Sequence, residues 1–366
     1  MSPSRYRAAI VGTGAIAAAH AQALNEHRAR ARLTAVVDLD EVRARTFADA
    51  WDAPTVAPDL TGLLETGDVD LVHLCTPPST HAPLALQCLR AGVNVILEKP
   101  PTLSLAELDT LAEASRATGA HVATVFQHRF GAGAVRLRAM AAAGDLGRPL
   151  LATCETLWFR DAAYFEVPWR GRWETEGGGP TMGHGIHQFD LLLSVLGPWE
   201  QVTAVAARRD RDVDTEDVSM ALVTFADGTV ASVVNSVISP RQVSALRFDF
   251  SHATVELSHL YGYTDADWMV TPAPGHAAVA AHWAASPSTV ESGHGGQLAA
   301  VLDALDDGAP PPVTLEETRQ TMEFVAAIYA SAFTGAPVRA GQIGPDSPFF
   351  ARMDGAGAPW RAVRSR

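Results

Sequence analysis

Tyr6-Arg7-Ala8-Ala9-Ile10-Val11-Gly12-Thr13-Gly14-Ala15-Ile16-Ala17 decides the fold. Its first half is a short apolar run of the kind that forms a buried strand. The run enters a Gly-x-Gly-x-x-Ala turn and then an alanine-rich helix to about Leu24. Gly12 makes the tight turn, Gly14 lets backbone approach a pyrophosphate, and Ala17 takes the third small position. Gly12, Gly14, Ala15 and Ile16 are the cofactor candidates here, backed by the amide donors of the helix N-terminus. Glycine turns are common, so the context has to carry the reading. A second strand over 33–37 ends in Asp38, roughly 20 residues on, where a ribose-binding acid belongs. Asp38 is that ligand or the N-cap of a helix over 41–50. An acid at this place repels a 2′-phosphate, so NAD is expected and NADP is the lesser candidate.

The alternation continues. Strands are predicted at 69–74, 93–97 and 121–126, and helices at 83–91 and 105–118. Strands alternating with helices make a parallel, doubly wound sheet, which binds ligands at the carboxyl ends of its strands. Those ends carry Gly12, Asp38, Cys75-Thr76-Pro77-Pro78, Glu98-Lys99-Pro100 and Gln127. Lys99 follows a buried run directly. It is a substrate-orienting group of shiftable pKa or a solvated loop lysine.

A second stretch, Gly177-Gly178-Gly179-Pro180-Thr181-Met182-Gly183-His184-Gly185-Ile186-His187-Gln188-Phe189-Asp190, is the other candidate for chemistry. Three glycines allow a tight turn and close approach to a ligand. A helix follows, with Ile186, Phe189, Leu192, Leu193 and Leu196 on one stripe and His187 almost opposite. His184, about 60° aside, is a helix-start residue with a satisfied ring or a second site residue.

Together the Gly12–Ala17 turn, Asp38, Cys75-Thr76-Pro77-Pro78 with His81, Glu98-Lys99-Pro100 and the Gly-x-His-x-x-Asp run over 185–190 resemble the Gfo/Idh/MocA family (glucose-fructose oxidoreductase, inositol dehydrogenase, rhizopine catabolism protein). The resemblance covers residues 7–338. It implies an α/β Rossmann N-terminal domain over 1–130 and an α+β C-terminal domain over 131–340. The second would carry a large open, mostly antiparallel sheet, with a C-terminal tail over 341–366. It implies hydride transfer between NAD and a secondary alcohol of a sugar, inositol or sugar-derived substrate. Lys99 and His187 would be catalytic, with His184 beside them. Thr76, Pro77, His81, Glu98, Lys99 and Gln127 match positions on the nicotinamide side, and Trp169-Arg170 matches a pair near it. A cis bond before Pro100 and a homodimer or homotetramer built on the C-terminal sheet are also implied. One departure stands out: many relatives carry Asp one turn before the histidine, and this chain has Gly183. His184, Asp190 or a water would have to stand in.

The 366 residues suffice for two domains. A formal charge of −13 gives no basic field for nucleic acid or an anionic membrane. Three dispersed cysteines argue for a reducing, cytoplasmic setting. In the second domain, helices are predicted at 134–143, 297–305 and 315–333, and strands at 150–159, 202–207, 218–225, 229–237, 246–250 and 253–257. The five strands between 202 and 257 are read as antiparallel strands of one sheet; residues 262–293 give few periodic signals. Arg160, Tyr164, Arg170 and Trp173 are substrate candidates, because aromatic faces stack on sugar C–H surfaces while guanidinium forks bind hydroxyls or carboxylates. Lys99, His184, His187 and Asp190 join them. His276, His282 and His294 are scattered, and no metal site is expected. Two other functions fit the same motifs: glycoside cleavage through transient oxidation on a retained NAD, and non-catalytic NAD binding.

Overall fold

The computed structural model describes residues 5–360. Two compact units emerge, neither a single stretch of chain. The first comprises residues 1–102, 106–125 and 294–319; the second comprises 103–105, 126–293 and 320–366. A single cut at 130 therefore does not describe them.

The first unit alternates β1 (Tyr6–Val11), α1 (Ala17–Glu26), β2 (Ala31–Val37), α2 (Glu41–Ala50), β3 (Thr55–Ala57), α3 (Leu60–Glu65), β4 (Leu71–Leu74), α4 (His81–Arg90), β5 (Asn94–Leu97), α5 (Leu105–Thr118) and β6 (Val122–Thr124). The six strands form one parallel sheet in the order β3-β2-β1-β4-β5-β6. Its central strands are apolar almost throughout, as a sheet covered on both faces requires. The order reverses direction between β1 and β4, so the carboxyl ends of those strands flank the switch point where such sheets bind ligands. The weak β3–α3 pair is absent from the sequence reading; its three-residue strand shows too few residues for a period.

The second unit begins with α6 (Ala132–Ala142), β7 (Pro149–Phe159), α7 (Trp173–Glu176) and α8 (Ile186–Leu196). Strands β8 (Trp199–Ala207), β9 (Val218–Phe225), β10 (Val230–Ser236), β11 (Ile238–Phe250), β12 (Ala253–His259) and β13 (Trp268–Pro272) follow. Next come α9 (Ala278–Ala284), α10 (His294–Asp306), α11 (Leu315–Thr334), β14 (Val338–Arg339) and α12 (Pro348–Ala351). Of these, α10 belongs to the first unit, where Leu298, Val301 and Leu302 join Ala17, Ala21 and Leu24 in one core. The eight strands form one sheet, β13-β12-β11-β7-β10-β9-β8-β14. It is mostly antiparallel, as expected, with β10 running parallel to β7. The chain between those strands contains α8, β8 and β9, long enough for the crossover that parallel neighbours need. Asp227-Gly228 turns β9 into β10, with Gly228 at φ +89°. β11 begins at Ile238 rather than 246, because its first half is polar and lacks an apolar alternation. Beyond β14, Ile343, Phe349 and Met353 of the C-terminal tail are buried.

α8 departs from expectation. An amphipathic helix would leave one face open, yet every residue from Ile186 to Leu193 is buried. Its polar side chains are therefore partnered inside. Asp190, fully buried, receives a two-pronged ion pair from Arg129 at 2.6 and 2.7 Å. Gln188 Nε2 lies 2.8 Å from His259 Nε2 and donates to it. Burial pulls the His259 pKa down from 6.5 to about 4. A histidine depressed in the folded state adds stability above its unfolded pKa and loses it as pH falls below 6.5. By pH 5 that loss is about 2 kcal/mol. Thermal unfolding at pH 7.5 and pH 5 checks this: His259→Gln should flatten part of the acid-side decline, and an unchanged profile would refute the assignment.

Candidate functional site

On the first unit, the glycine turn fits the group its sequence implies. Gly12 has φ +86°, and a Cβ there would lie 2.8 Å from Thr76 Cγ2 and 2.9 Å from the Thr76 amide nitrogen. Only glycine permits both the turn and the neighbouring β4 loop. A Cβ at Gly14 would meet nothing within 4 Å, so backbone there is open to approach. Ala15 and Ile16 lead into α1, which has no side-chain N-cap over its N-terminus. Asp38 ends β2 as expected, and the N-cap of α2 is Asp40, not Asp38. Asp38 accepts from the Thr13 amide and hydroxyl, each at 2.7 Å, from the Asp40 amide, and from the Arg43 fork. Burial opposes its ionisation, but these donors outweigh it and hold the carboxyl well below the usual range. A pyrophosphate, a ribose and an unphosphorylated 2′-hydroxyl suit this set.

The remaining rim residues take two kinds of place. Thr76 and Pro77 form the loop after β4, with the Thr76 hydroxyl receiving Thr80 Oγ1 at 2.6 Å. His81 is inside: its ring nitrogens lie 2.8 Å from the carbonyl oxygens of Thr76 and Pro100, so it braces two rim loops. Lys99 is half-buried at the end of β5, and the Lys99–Pro100 bond is cis as expected. Glu98 is buried, and its Oε2 accepts from the Lys99 amide at 3.1 Å.

On the second unit, His187 is buried within an aromatic group. His128 lies 4.9 Å away between ring centroids, Tyr261 5.9 Å and Phe126 6.4 Å. Gln127 joins through a 3.1 Å hydrogen bond to the Tyr261 hydroxyl. His184 heads a second group. Its Nε2 lies 3.5 Å from the Tyr164 hydroxyl, and its ring stands edge-on to Trp158 at 5.0 Å. Arg170 stacks on Tyr164 at 3.6 Å and reaches Trp169 at 5.1 Å; Arg160 lies over Tyr164 and Trp158. The structure thus gathers Arg160, Tyr164, Trp169, Arg170 and His184. Trp173 goes elsewhere: its indole donates to the Asp214 carbonyl at 2.9 Å, and its ring packs on Tyr329 and Phe333. Asp190 is likewise held by Arg129, away from this cluster. Neither contact set is that of a substrate ligand.

The three glycines have packing reasons. Gly177 has φ +82°; a Cβ on Gly178 would strike the Tyr329 hydroxyl, and one on Gly179 the Glu216 carbonyl oxygen. Buried Glu216 was not legible as a site residue. It accepts from the Gly179 and Thr181 amides at 3.0 Å and from the Tyr329 hydroxyl at 2.9 Å. It caps the wide, π-type turn Thr181–Gly185 that presents His184 ahead of α8. Burial pushes its pKa up. Glu176 also escaped the sequence reading. Outside its own helix, the one heavy atom within 4 Å of a Cβ built on Gly183 is Glu176 Oε1, at 3.6 Å. A carboxylate from α7 thus stands beside Gly183, in the turn before α8.

Comparison with known proteins agrees with this architecture. Residues 6–126 match the model of the oxidoreductase family with an NAD-binding Rossmann fold, and residues 134–256 match the GFO/IDH/MocA C-terminal domain. The chain belongs to the Gfo/Idh/MocA oxidoreductase family. Inositol 2-dehydrogenase 4 of Saccharopolyspora erythraea is 31% identical over 242 residues, 64% of this chain and 67% of the relative. D-glucoside 3-dehydrogenase of Escherichia coli is 30% identical over 219 residues, 59% of this chain and 61% of the relative. The WlbA dehydrogenase of Chromobacterium violaceum, solved with NADH and UDP-GlcNAcA, superimposes with a TM-score of 0.82 at 25% identity, covering 94% of this chain and 98% of that one. The protein is an NAD-binding oxidoreductase, of a family whose members include sugar and inositol dehydrogenases acting on CH–OH groups. No helix among the described residues is long and apolar enough to cross a membrane.

Proposed function

We propose that this protein oxidises or reduces a secondary alcohol on a sugar, inositol or sugar-derived molecule. The observation that carries the reading is the glycine turn of the first unit, where a Cβ on Gly12 would strike the loop after β4 and the backbone at Gly14 stays open, with Lys99 at the end of β5 in the same unit. NAD supplies the hydride acceptor or donor. Lys99 would hold the reacting oxygen, because an ammonium aimed at a developing alkoxide lowers the barrier electrostatically. His187 would take or return the hydroxyl proton, a task suited to an imidazole near neutral pH. Arg160, Tyr164 and Arg170 would hold the rest of the substrate, with His184 beside them. Two guanidinium groups around one phenol favour a sugar acid within this class. Gly12, Gly14, Ala15, Ile16, Asp38, Thr76 and Pro77 would contact the dinucleotide directly. His81 would act by bracing the loops, and Glu98 from inside the unit. Trp169 and Gln127 complete the proposed nicotinamide side.

A second copy of the chain would cover the exposed face of the large sheet. There Val205 pairs with Met220, and both are more than half exposed with Leu222 beside them. A homodimer or homotetramer is the proposed state. The three buried, unpaired cysteines suit a cytoplasmic setting.

The test is a panel of inositols, aldoses and sugar acids with NAD or NADP, followed at the absorbance of reduced nicotinamide, on protein whose mass is read by light scattering. Reduction of NAD by one sugar class, faster than of NADP, by an oligomer is the expected result. Glycoside cleavage without net reduction would replace the reading with NAD recycling. Neither reaction, with NAD still bound, would leave a binding protein. A monomer would refute the sheet interface.

A further inference from the structure

The spread of histidines along the sequence predicts no metal site, yet the first unit folds two of them onto one carboxylate. His20 on α1, Glu98 after β5 and His294 at the start of α10 bring ligand atoms within 4.8 Å of one another. Both imidazoles point Nε2 at the same oxygen, Glu98 Oε1, at 3.0 Å for His20 and 3.1 Å for His294. All three side chains are sequestered: 1%, 6% and 10% exposed for His20, Glu98 and His294. We propose that His20 Nε2, His294 Nε2 and Glu98 Oε1 bind a divalent transition-metal ion, of the zinc class, inside the Rossmann unit.

Four observations support this. Two imidazoles and a carboxylate are a donor set suited to zinc. The spacing fits: ligands about 2.0–2.1 Å from one ion, at angles of about 95–110°, stand about 3.0–3.4 Å apart. His20 is oriented from behind, because its Nδ1 meets His73 Nδ1 at 2.8 Å. Metal-bound histidines are held in the same way, by a partner on the second ring nitrogen. If His20 donates through Nδ1, its Nε2 lone pair faces the carboxylate, and a cation between them removes the repulsion. Finally, a small void lined by His20, His73, His294 and Gln297, and otherwise by apolar side chains, is roomy enough for about one water-sized body. Nε2 of His73, itself 1% exposed, has no hydrogen-bond partner there. That void leaves space for a water as fourth ligand. The site joins α10 to α1 and β5, so the ion would staple the returning helix to the sheet.

The test uses full-length protein stripped with chelator, then titrated with zinc sulfate. Metal is counted by mass spectrometry, and cobalt(II) is substituted to read coordination from its visible bands. One zinc per chain is expected, with tetrahedral cobalt bands and a higher Tm on zinc addition. His294→Ala and Glu98→Gln should both abolish stoichiometric binding, while His276→Ala, which alters a ring stacked on His252 outside the cluster, should retain it. His73→Gln leaves all three ligands and should weaken zinc about 10- to 100-fold; it serves if the ligand variants fail to fold. Wild-type protein that binds no more zinc than His294→Ala, or His276→Ala that loses zinc equally, overturns the site. So does a His73→Gln affinity equal to that of wild type.

Discussion

Turnover is expected to fall by about 100- to 10,000-fold when His187 is replaced by alanine, the range a positioned acid–base group supplies. Lys99→Ala should lose about 100- to 1,000-fold, the usual contribution of one donor aimed at a developing negative oxygen. In both variants NAD affinity should stay within a few-fold, since neither residue belongs to the glycine turn or to the Asp38 group. The two substitutions separate by pattern. Lys99 holds the reacting oxygen in ground and transition states, so KM should rise as kcat falls. His187 moves a proton only during reaction, so kcat should carry nearly all of its effect. The surroundings of His187 make it the more exposed assignment. Its ring is 2% exposed and packed against His128, Tyr261 and Phe126. Near-normal kcat in His187→Ala would transfer the role to His184, which lies by Tyr164 and the two arginines. Glu176→Gln extends the measurement: if the Glu176 carboxylate replaces the acid missing at Gly183, the pH profile of kcat should shift while substrate affinity holds.

The second large effect concerns stability. Asp190→Ala should cost about 3–5 kcal/mol, because it strands the Arg129 guanidinium in a place built for an ion pair. The pair is bidentate, and Asp190 is 0% exposed, with Thr321 Oγ1 donating at 3.4 Å to the Oδ1 that Arg129 Nη2 also reaches. Urea unfolding of wild type and variant measures the loss. Arg129→Met should show a similar deficit, and the double variant with Asp190→Leu should recover much of it, since an apolar pair of like volume replaces two desolvated charges. A raised KM with unchanged unfolding would instead restore Asp190 to the substrate.

That contrast shows where sequence reading succeeded. β1, the glycine turn and Asp38 are neighbours in the chain, and each constrains the next, so their geometry was readable before any coordinates. Glu98-Lys99-Pro100 was readable for the same reason: two charged residues and a proline at the end of a buried run have few places to go. The burial of Asp190 was not readable, because periodicity reports which side of a helix a residue occupies, not whether that side is also covered. Arg129, 61 positions away, leaves no mark on that period. Glu216 and the His20–Glu98–His294 group were invisible for a related reason. Their partners are far apart in sequence, and none adds an apolar repeat. The parallel β7–β10 pairing could not be inferred either, since a strand's composition records its burial and not its neighbour's direction.

The return of α10 to the first unit bears on how the chain is made. Leu298, Val301 and Leu302 complete a core begun by Ala17, Ala21 and Leu24, so the nucleotide-binding half finishes only after the intervening residues have been synthesised. During translation the amino-terminal portion waits with an unfinished apolar surface, the kind of intermediate that chaperones engage. Ending a recombinant fragment at 130 would make that waiting state permanent. Of the two halves, the one that looks most like a free-standing module in sequence is the one that depends on the last third of the chain.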